Sequence, residues 1–193
     1  RHGGFYRELD EYHQPVDTTK HVYMQAYCLY ALSEYYRLAN SAEALALMEE
    51  TWLLLEKHAR DMQEPGYLEN FSREWRPRAG NFLAPADAPK TMNTHLHLLE
   101  AFTNLLLACE LRSVRDRLRE LIVLYIERIV RPDGSCRLYF NRDFSETPES
   151  RGADSFGHDI ETAWLLTRAA EVVGDAALSF GATPRQTLFK AEL

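Results

Sequence analysis

Two segments of this sequence set imidazole, amide and carboxylate groups at helical spacing. The first runs Met92-Asn93-Thr94-His95-Leu96-His97-Leu98-Leu99-Glu100. Asn93, His97 and Glu100 stand at i, i+4 and i+7, so one helix face presents all three. His95 lies about 200° around the helix from Asn93 and reads as a core histidine satisfied by a neighbour. Three polar groups in register among leucines would each need a buried partner. They are better explained as lining a cavity, with Asn93 and His97 as functional groups. The second segment, Ser155-Phe156-Gly157-His158-Asp159-Ile160-Glu161, puts His158 and Glu161 at i and i+3 in a first helical turn. A carboxylate beside one imidazole nitrogen fixes the tautomer and raises the basicity of the other nitrogen. A plain helix start, capped by Ser155 or Asp154, accounts for Asp159. It accounts badly for His158, because an imidazolium is disfavoured at the positive end of a helix dipole. The pattern therefore points to proton transfer at a neutral His158 poised by Glu161.

Other chemistries fit less well. The histidine spacing is not that of a zinc helix, and His95 and His97 cannot chelate from one face, so no metal is expected. No glycine-rich loop is built to hold phosphate, and no nucleophile elbow supports a serine hydrolase. Tyr23, Tyr27, Tyr30, Trp75 and Trp164 could stack on sugar rings, although aromatics at helical spacing are more often core.

The elements that must carry these groups are helices. Periodicity and caps predict helices over Thr18–Ala39 (with Asp17-Thr18 as cap), Ser41–Asp61, Ala88–Glu110, Ser113–Arg131 and Gly157–Val173. A shorter sixth is expected from near Asp175. In the second, Ala42, Leu45, Met48, Trp52 and Leu55 form the expected apolar face. Short extended segments lie between helix pairs: Gly4–Leu9, Gly66–Asn70 and Ser135–Phe140. Gly4, Gly66 and Gly134 recur about one unit apart, giving a repeat of helix, helix, β-excursion and long loop. The first, third and fifth helices mix polar groups into apolar sequence, whereas the fourth carries Arg115, Asp116, Arg119 and Glu120 on one side. That contrast fits an inner ring lining a cavity and an outer ring facing water. The fold class is thus all-α, a toroid of which three helical hairpins form about half.

Composition narrows the partners. The 193 residues carry a net charge of −7, which offers no footprint for nucleic-acid phosphates. Apolar runs such as Leu105–Cys109 are far too short to cross a bilayer. Cys28, Cys109 and Cys136 are odd in number and lack redox or metal spacing; they read as free thiols in a reducing, cytoplasmic compartment. The opening Arg1-His2-Gly3-Gly4 reads as the interior of a longer protein.

The two histidine segments, together with Lys20-His21-Val22-Tyr23-Met24-Gln25-Ala26-Tyr27 and Gly3-Gly4-Phe5-Tyr6, resemble the N-acylglucosamine 2-epimerase and cellobiose 2-epimerase family. The resemblance runs from about Arg1 to Gly174 and implies an (α/α)6 barrel without a cofactor. The Asn-Thr-His-Leu-His form is closer to the disaccharide-acting branch. What the resemblance implies is deprotonation of C2 beside the aldehyde of an opened reducing-end sugar, and reprotonation on the opposite face through an enediolate. Matched motif by motif, His158 would be one base and Glu161 its orienter. His97 and Asn93 would bind sugar oxygens and assist ring opening, and Tyr23 would line the cavity. The family's second catalytic histidine, its tandem tryptophans and a first-helix arginine have no counterpart in these residues. Residues 175–193 depart from the family pattern, and the fragment alone is expected to be a poor catalyst. Alternatives from the same residues are an aldose–ketose isomerase, a glycosidase using Glu100 and Glu161, and a non-catalytic sugar-binding scaffold.

Overall fold

The computed structural model describes residues 2–84 and 88–175. Its five α-helices are α1 (Val22–Ala39), α2 (Ala42–Leu54), α3 (Met92–Cys109), α4 (Arg112–Leu124) and α5 (Phe156–Val173). The sixth helix expected from near Asp175 falls outside the described residues. Six short strands accompany them: β1 (Glu8–Leu9), β2 (Pro15–Asp17), β3 (Lys20–His21), β4 (Asn70–Phe71), β5 (Lys90–Thr91) and β6 (Tyr139–Phe140). Helix α3 packs against α1 on one side and α5 on the other, while α2 backs α1, and α4 backs α3 and α5. The inner and outer rings predicted from composition are therefore observed, as an arc of α1, α3 and α5 covered by α2 and α4.

Helix boundaries differ from the sequence expectation for identifiable reasons. Asp17-Thr18 does not cap α1: the Asp17 carboxylate accepts from the Thr19 amide at 2.8 Å, and Lys20–His21 joins a sheet before the helix begins at Val22. Helix α3 likewise begins at Met92 rather than Ala88, because Lys90–Thr91 is strand β5. Both outer helices stop early and finish in a single π turn, Leu55–Ala59 after α2 and Tyr125–Ile129 after α4. The apolar face of α2 is turned from the expected one. Ala44, Met48, Thr51 and Trp52 are buried, Ala42 is exposed and Leu45 is only half-buried. In α4 the buried set Val114, Leu118, Leu121 and Ile122 is the i, i+4, i+7, i+8 stripe of an amphipathic helix. The core between the rings includes Leu29, Met48, Trp52, Leu96, Phe102, Leu118, Ile122 and Leu166. Each of these side chains adds roughly 1.5–3 kcal/mol of burial.

The β-excursions are not local ornaments. Strand β3 pairs antiparallel with β4 (Lys20 with Phe71, His21 with Asn70), and β5 with β6 (Lys90 with Phe140, Thr91 with Tyr139). The strand leading into each of these inner helices is thus completed by the hairpin of the following unit. The three hairpin turns share one geometry. Asp10, Ser72 and Asn141 receive the N–H of His13, Trp75 and Phe144, at 3.0, 2.9 and 3.1 Å. Those three residues all sit in the left-handed region, with φ of 60°, 62° and 62°. Trp75 and Phe144 then reach back over Gly4 and Gly66, which have φ of 68° and 81°. A Cβ built there would lie 2.7 Å from the Trp75 ring and 2.8 Å from the Phe144 ring, so only glycine fits both the backbone and the space. The third member of this register is Ser135, not the expected Gly134: Arg131 N–H donates to Ser135 O just as Asp61 N–H donates to Gly66 O.

One buried ionic cluster locks the second junction. The Lys90 ammonium donates to Pro65 O and Arg142 O, each at 2.6 Å, and lies 3.1 Å from the Asp61 carboxylate. Arg142 grips the same carboxylate through two 2.7 Å bonds. Burial pushes the Asp61 carboxyl up, but Arg142, the Gln63 amide and Lys90 more than reverse this and leave it well below its usual value.

Candidate functional site

A shared hydrogen bond sets the inner helices in register. The second residue of each excursion donates its backbone N–H to an inner-helix side chain: Phe5 to Gln25 Oε1 (2.8 Å), Tyr67 to His95 Nε2 (3.0 Å) and Cys136 to Asp159 Oδ1 (2.8 Å). Gln25, His95 and Asp159 therefore occupy equivalent places on the sides of α1, α3 and α5 that meet the hairpins. His95 is fully buried, and its Nδ1–H donates to Thr91 O at 2.7 Å, so both ring nitrogens are satisfied. Burial drives its pKa down to about 3, and it stays neutral. It is a structural histidine, as its position in the sequence suggested. Asp159, taken from the sequence as a favourable charge at a helix start, makes a specific bond to the Cys136 amide as well.

Two residues further along each helix stand Tyr27, His97 and Glu161, again equivalent to one another. His97 is only 6% exposed. Its Nδ1 is 3.0 Å from Glu100 Oε2, which makes Nδ1–H the donor and leaves Nε2 to accept from the Tyr27 hydroxyl at 3.2 Å. The carboxylate thus fixes the tautomer and would stabilise an imidazolium. Tyr23 packs edge-on to both partners, with ring centroids 5.1 Å from His97 and 4.8 Å from Tyr27. Partial burial, then Tyr23, then the Glu100 and Glu161 carboxylates all raise the Tyr27 pKa, so its hydroxyl keeps its proton. That last influence places Glu161 within electrostatic reach of the Tyr27–His97 pair. Asn93, one turn before His97, has a buried Oδ1 with no hydrogen-bond partner among the described residues. A buried acceptor left free on the same face as His97 is the feature expected of a ligand contact.

The expected His158–Glu161 pair is arranged differently. His158 Nδ1 lies 2.6 Å from the Ser155 hydroxyl, so the partner that orients this ring is Ser155 rather than Glu161. Ser155 is the N-cap residue of α5, but its side chain makes no capping bond because it turns to His158 instead. Asp154 does not cap either; it lies 3.8 Å from Arg131. The structure thus brings together Tyr23, His97 and Glu100 beside Tyr27, with the Glu161 charge in electrostatic reach and Asn93 on the same face of α3. It holds His158 half-buried in the first turn of α5 with its own partner. Tyr27 and Ser155 were the residues least visible beforehand. The signal for Tyr27 was its i+4 spacing from Tyr23, and for Ser155 its i−3 spacing from His158.

Among the described residues no group of three or more His, Cys, Asp or Glu is clustered to hold a metal, and no helix is long and apolar enough to cross a membrane. Cys28, Cys109 and Cys136 are free thiols.

Comparison with known proteins agrees with this architecture. The family model for N-acylglucosamine 2-epimerase (GlcNAc 2-epimerase) matches residues 1–190. A cellobiose 2-epimerase from Bacteroides fragilis is 40% identical over 180 residues, which cover 91% of this chain and 45% of that protein. The structure of cellobiose 2-epimerase from Spirochaeta thermophila DSM 6192 superposes with a TM-score of 0.83 at 38% identity, over 91% of this chain and 44% of that one. A sugar epimerase from a ruminal bacterium gives a TM-score of 0.89 at 35% identity, over 99% and 49% respectively. The chain spans about half the length of the curated relatives it matches. Its arc of helical hairpins is accordingly about half of an (α/α)6 barrel. This chain belongs to the N-acylglucosamine 2-epimerase family.

Proposed function

We propose that this chain supplies one wall of a sugar 2-epimerase site that acts on the reducing-end residue of a β-1,4-linked disaccharide such as cellobiose or mannobiose. The observation that carries the proposal is the line Glu100–His97–Tyr27 on the inner face, with Glu161 in its field and the free Asn93 oxygen beside it. In this reading Asn93 and His97 hold sugar oxygens. His97 accepts the ring-opening proton at Nε2, and Glu100 stabilises the imidazolium that results. His158, held by Ser155, removes the proton from C2 next to the aldehyde. The C2–H electron pair moves into an enediolate, whose oxygens Asn93 and Tyr23 help to stabilise. Return of a proton to the opposite face of C2 gives the epimer and needs a second base, which the family resemblance assigns to a histidine without a counterpart in these residues. Glu161 tunes the pocket through Tyr27. The partner is a small sugar, no cofactor is required, and the net charge of −7 argues against nucleic acid; a cytoplasmic setting belongs to the same proposal.

The direct test is incorporation of deuterium at C2 of cellobiose or mannobiose in D2O by the complete protein. Exchange with formation of the 2-epimer is the expected result. Ketose as the main product would replace the epimerase with an isomerase, and release of monosaccharides would favour a glycosidase. Binding without exchange would leave a sugar-binding scaffold.

A further inference from the structure

Glu69 is 1% exposed, yet it carries a carboxylate that the chemistry above does not use. Its place in the hairpin register is held by Arg7 in the first unit and Leu138 in the third, so among the described residues a buried acid here is a feature of the middle unit. Its backbone carbonyl accepts the Val22 N–H at 2.9 Å and so holds the first residue of α1, as Leu138 O holds the Met92 N–H of α3. Unlike Leu138, Glu69 goes on to accept with its side chain. Oε1 receives the N–H of Thr91, the N-cap of α3, and Oε2 receives Asn81 Nδ2 at 2.6 Å. Thr91 in turn holds the first turn of α3: its hydroxyl accepts the Thr94 N–H at 3.1 Å and its carbonyl accepts His95 Nδ1–H. One residue therefore ties the start of the helix that bears Tyr23 and Tyr27 to the start of the helix that bears Asn93 and His97.

We propose that Glu69 is a positioning residue for the sugar site, its ionised carboxylate fixing the first turn of α3 against α1 and thereby aiming Asn93 and His97. The inference rests on the proposed sugar site. Charge-assisted acceptance from a cap amide is the strong form of this bond, and protonation weakens it. Burial, partly opposed by Asn81 and Thr91, lifts the Glu69 pKa to about 7. Its charged and titratable neighbours do not titrate with it. Burial keeps His21, 3.9 Å away on β3, neutral down to about pH 4, and it donates to Asn81 Oδ1 instead. Tyr125, at the end of the outer helix, is buried and pushed well above its usual value. The charge on these bonds is thus lost as pH falls through 7, while the raised pKa makes folding stability rise in the same direction, so the pH effect is read in sugar affinity and not in melting temperature.

The test is Glu69→Gln in the complete protein. The glutamine keeps an acceptor for Thr91 but sets an N–H against the Asn81 donor. Cellobiose Kd should rise about tenfold, the effect of losing one charge-assisted bond. Folding by circular dichroism should be retained, and the variant should behave at all pH values as the wild type does at pH 5.5. Wild-type affinity should fall between pH 8 and 5.5 along a limb that the variant lacks. A folded variant with wild-type Kd and pH profile overturns the proposal, as does a lowered melting temperature with unchanged binding. Wild-type protein that neither binds cellobiose nor exchanges C2–H defeats the sugar reading instead. The positioning role is then read from hydrogen exchange over residues 88–97, which should quicken at least tenfold in the variant. Unchanged exchange there overturns it.

Discussion

The side of the inner helices that meets the hairpins and the side that presents Tyr27, His97 and Glu161 use similar residue types for opposite purposes. Against the hairpins, Gln25, His95 and Asp159 perform one task, accepting a backbone amide, with three different chemistries. Two residues along, Tyr27 and His97 meet at 3.2 Å with the Glu161 charge in electrostatic reach of Tyr27, so that their differences can do separate work. His95 and His97 sit in one helix two residues apart. One has both nitrogens consumed by backbone; the other is braced by a carboxylate and capped by a phenol. Residue type alone therefore does not mark a catalytic histidine; what its two nitrogens face does.

This contrast makes graded predictions. The largest effect belongs to His158→Asn, which should cut C2–deuterium exchange by about 10²–10⁴-fold, the usual contribution of a positioned acid/base group, with little change in melting temperature. His97→Asn should also abolish most turnover in the same assay while leaving the fold intact. His95→Leu should do the reverse. It strands the Tyr67 amide and should cost about 1–3 kcal/mol in urea unfolding, with kcat of the folded fraction preserved. His95→Gln copies the solution already used at Gln25 and should restore most of that loss. The smallest effect is in pH dependence. The folded-state pKa of His95 is depressed from 6.5 to about 3, so the unfolded chain binds the extra proton and the stability contribution present above pH 6.5 is lost as pH falls toward 3. Denaturation curves for His95→Gln should lack that acid-side slope. If His95→Gln impaired exchange as strongly as His97→Asn, the division between the two faces would be wrong.

Much of this was legible in the sequence because helical periodicity and glycine spacing are local signals. The inner and outer rings, the terminator Gly174 and the common face of Asn93, His97 and Glu100 all follow from them. Helix starts were misplaced at Val22 and Met92 because the preceding residues pair with strands some fifty residues further on, a long-range preference that local pattern does not carry. The rotation of the α2 face has a similar origin, since apolar residues lie on several sides of this helix and packing against α1 decides which of them is buried. Ser155 has the residue type of a cap, but its hydroxyl pairs with the His158 Nδ1 instead of the α5 backbone. Glu69 drew no notice because a single glutamate in an extended segment is ordinarily solvated. Only the fold reveals that it is enclosed.

The two-residue ladders between successive units have a dynamic consequence. Strands of that length have no stability alone, so β3 persists only while β4 is docked, and β5 only while β6 is. Loosening the second or third hairpin must therefore fray the beginning of the inner helix before it in the chain. Opening should spread backward toward the N-terminus as a succession of linked steps, with amides of adjacent units losing protection together rather than one helix at a time.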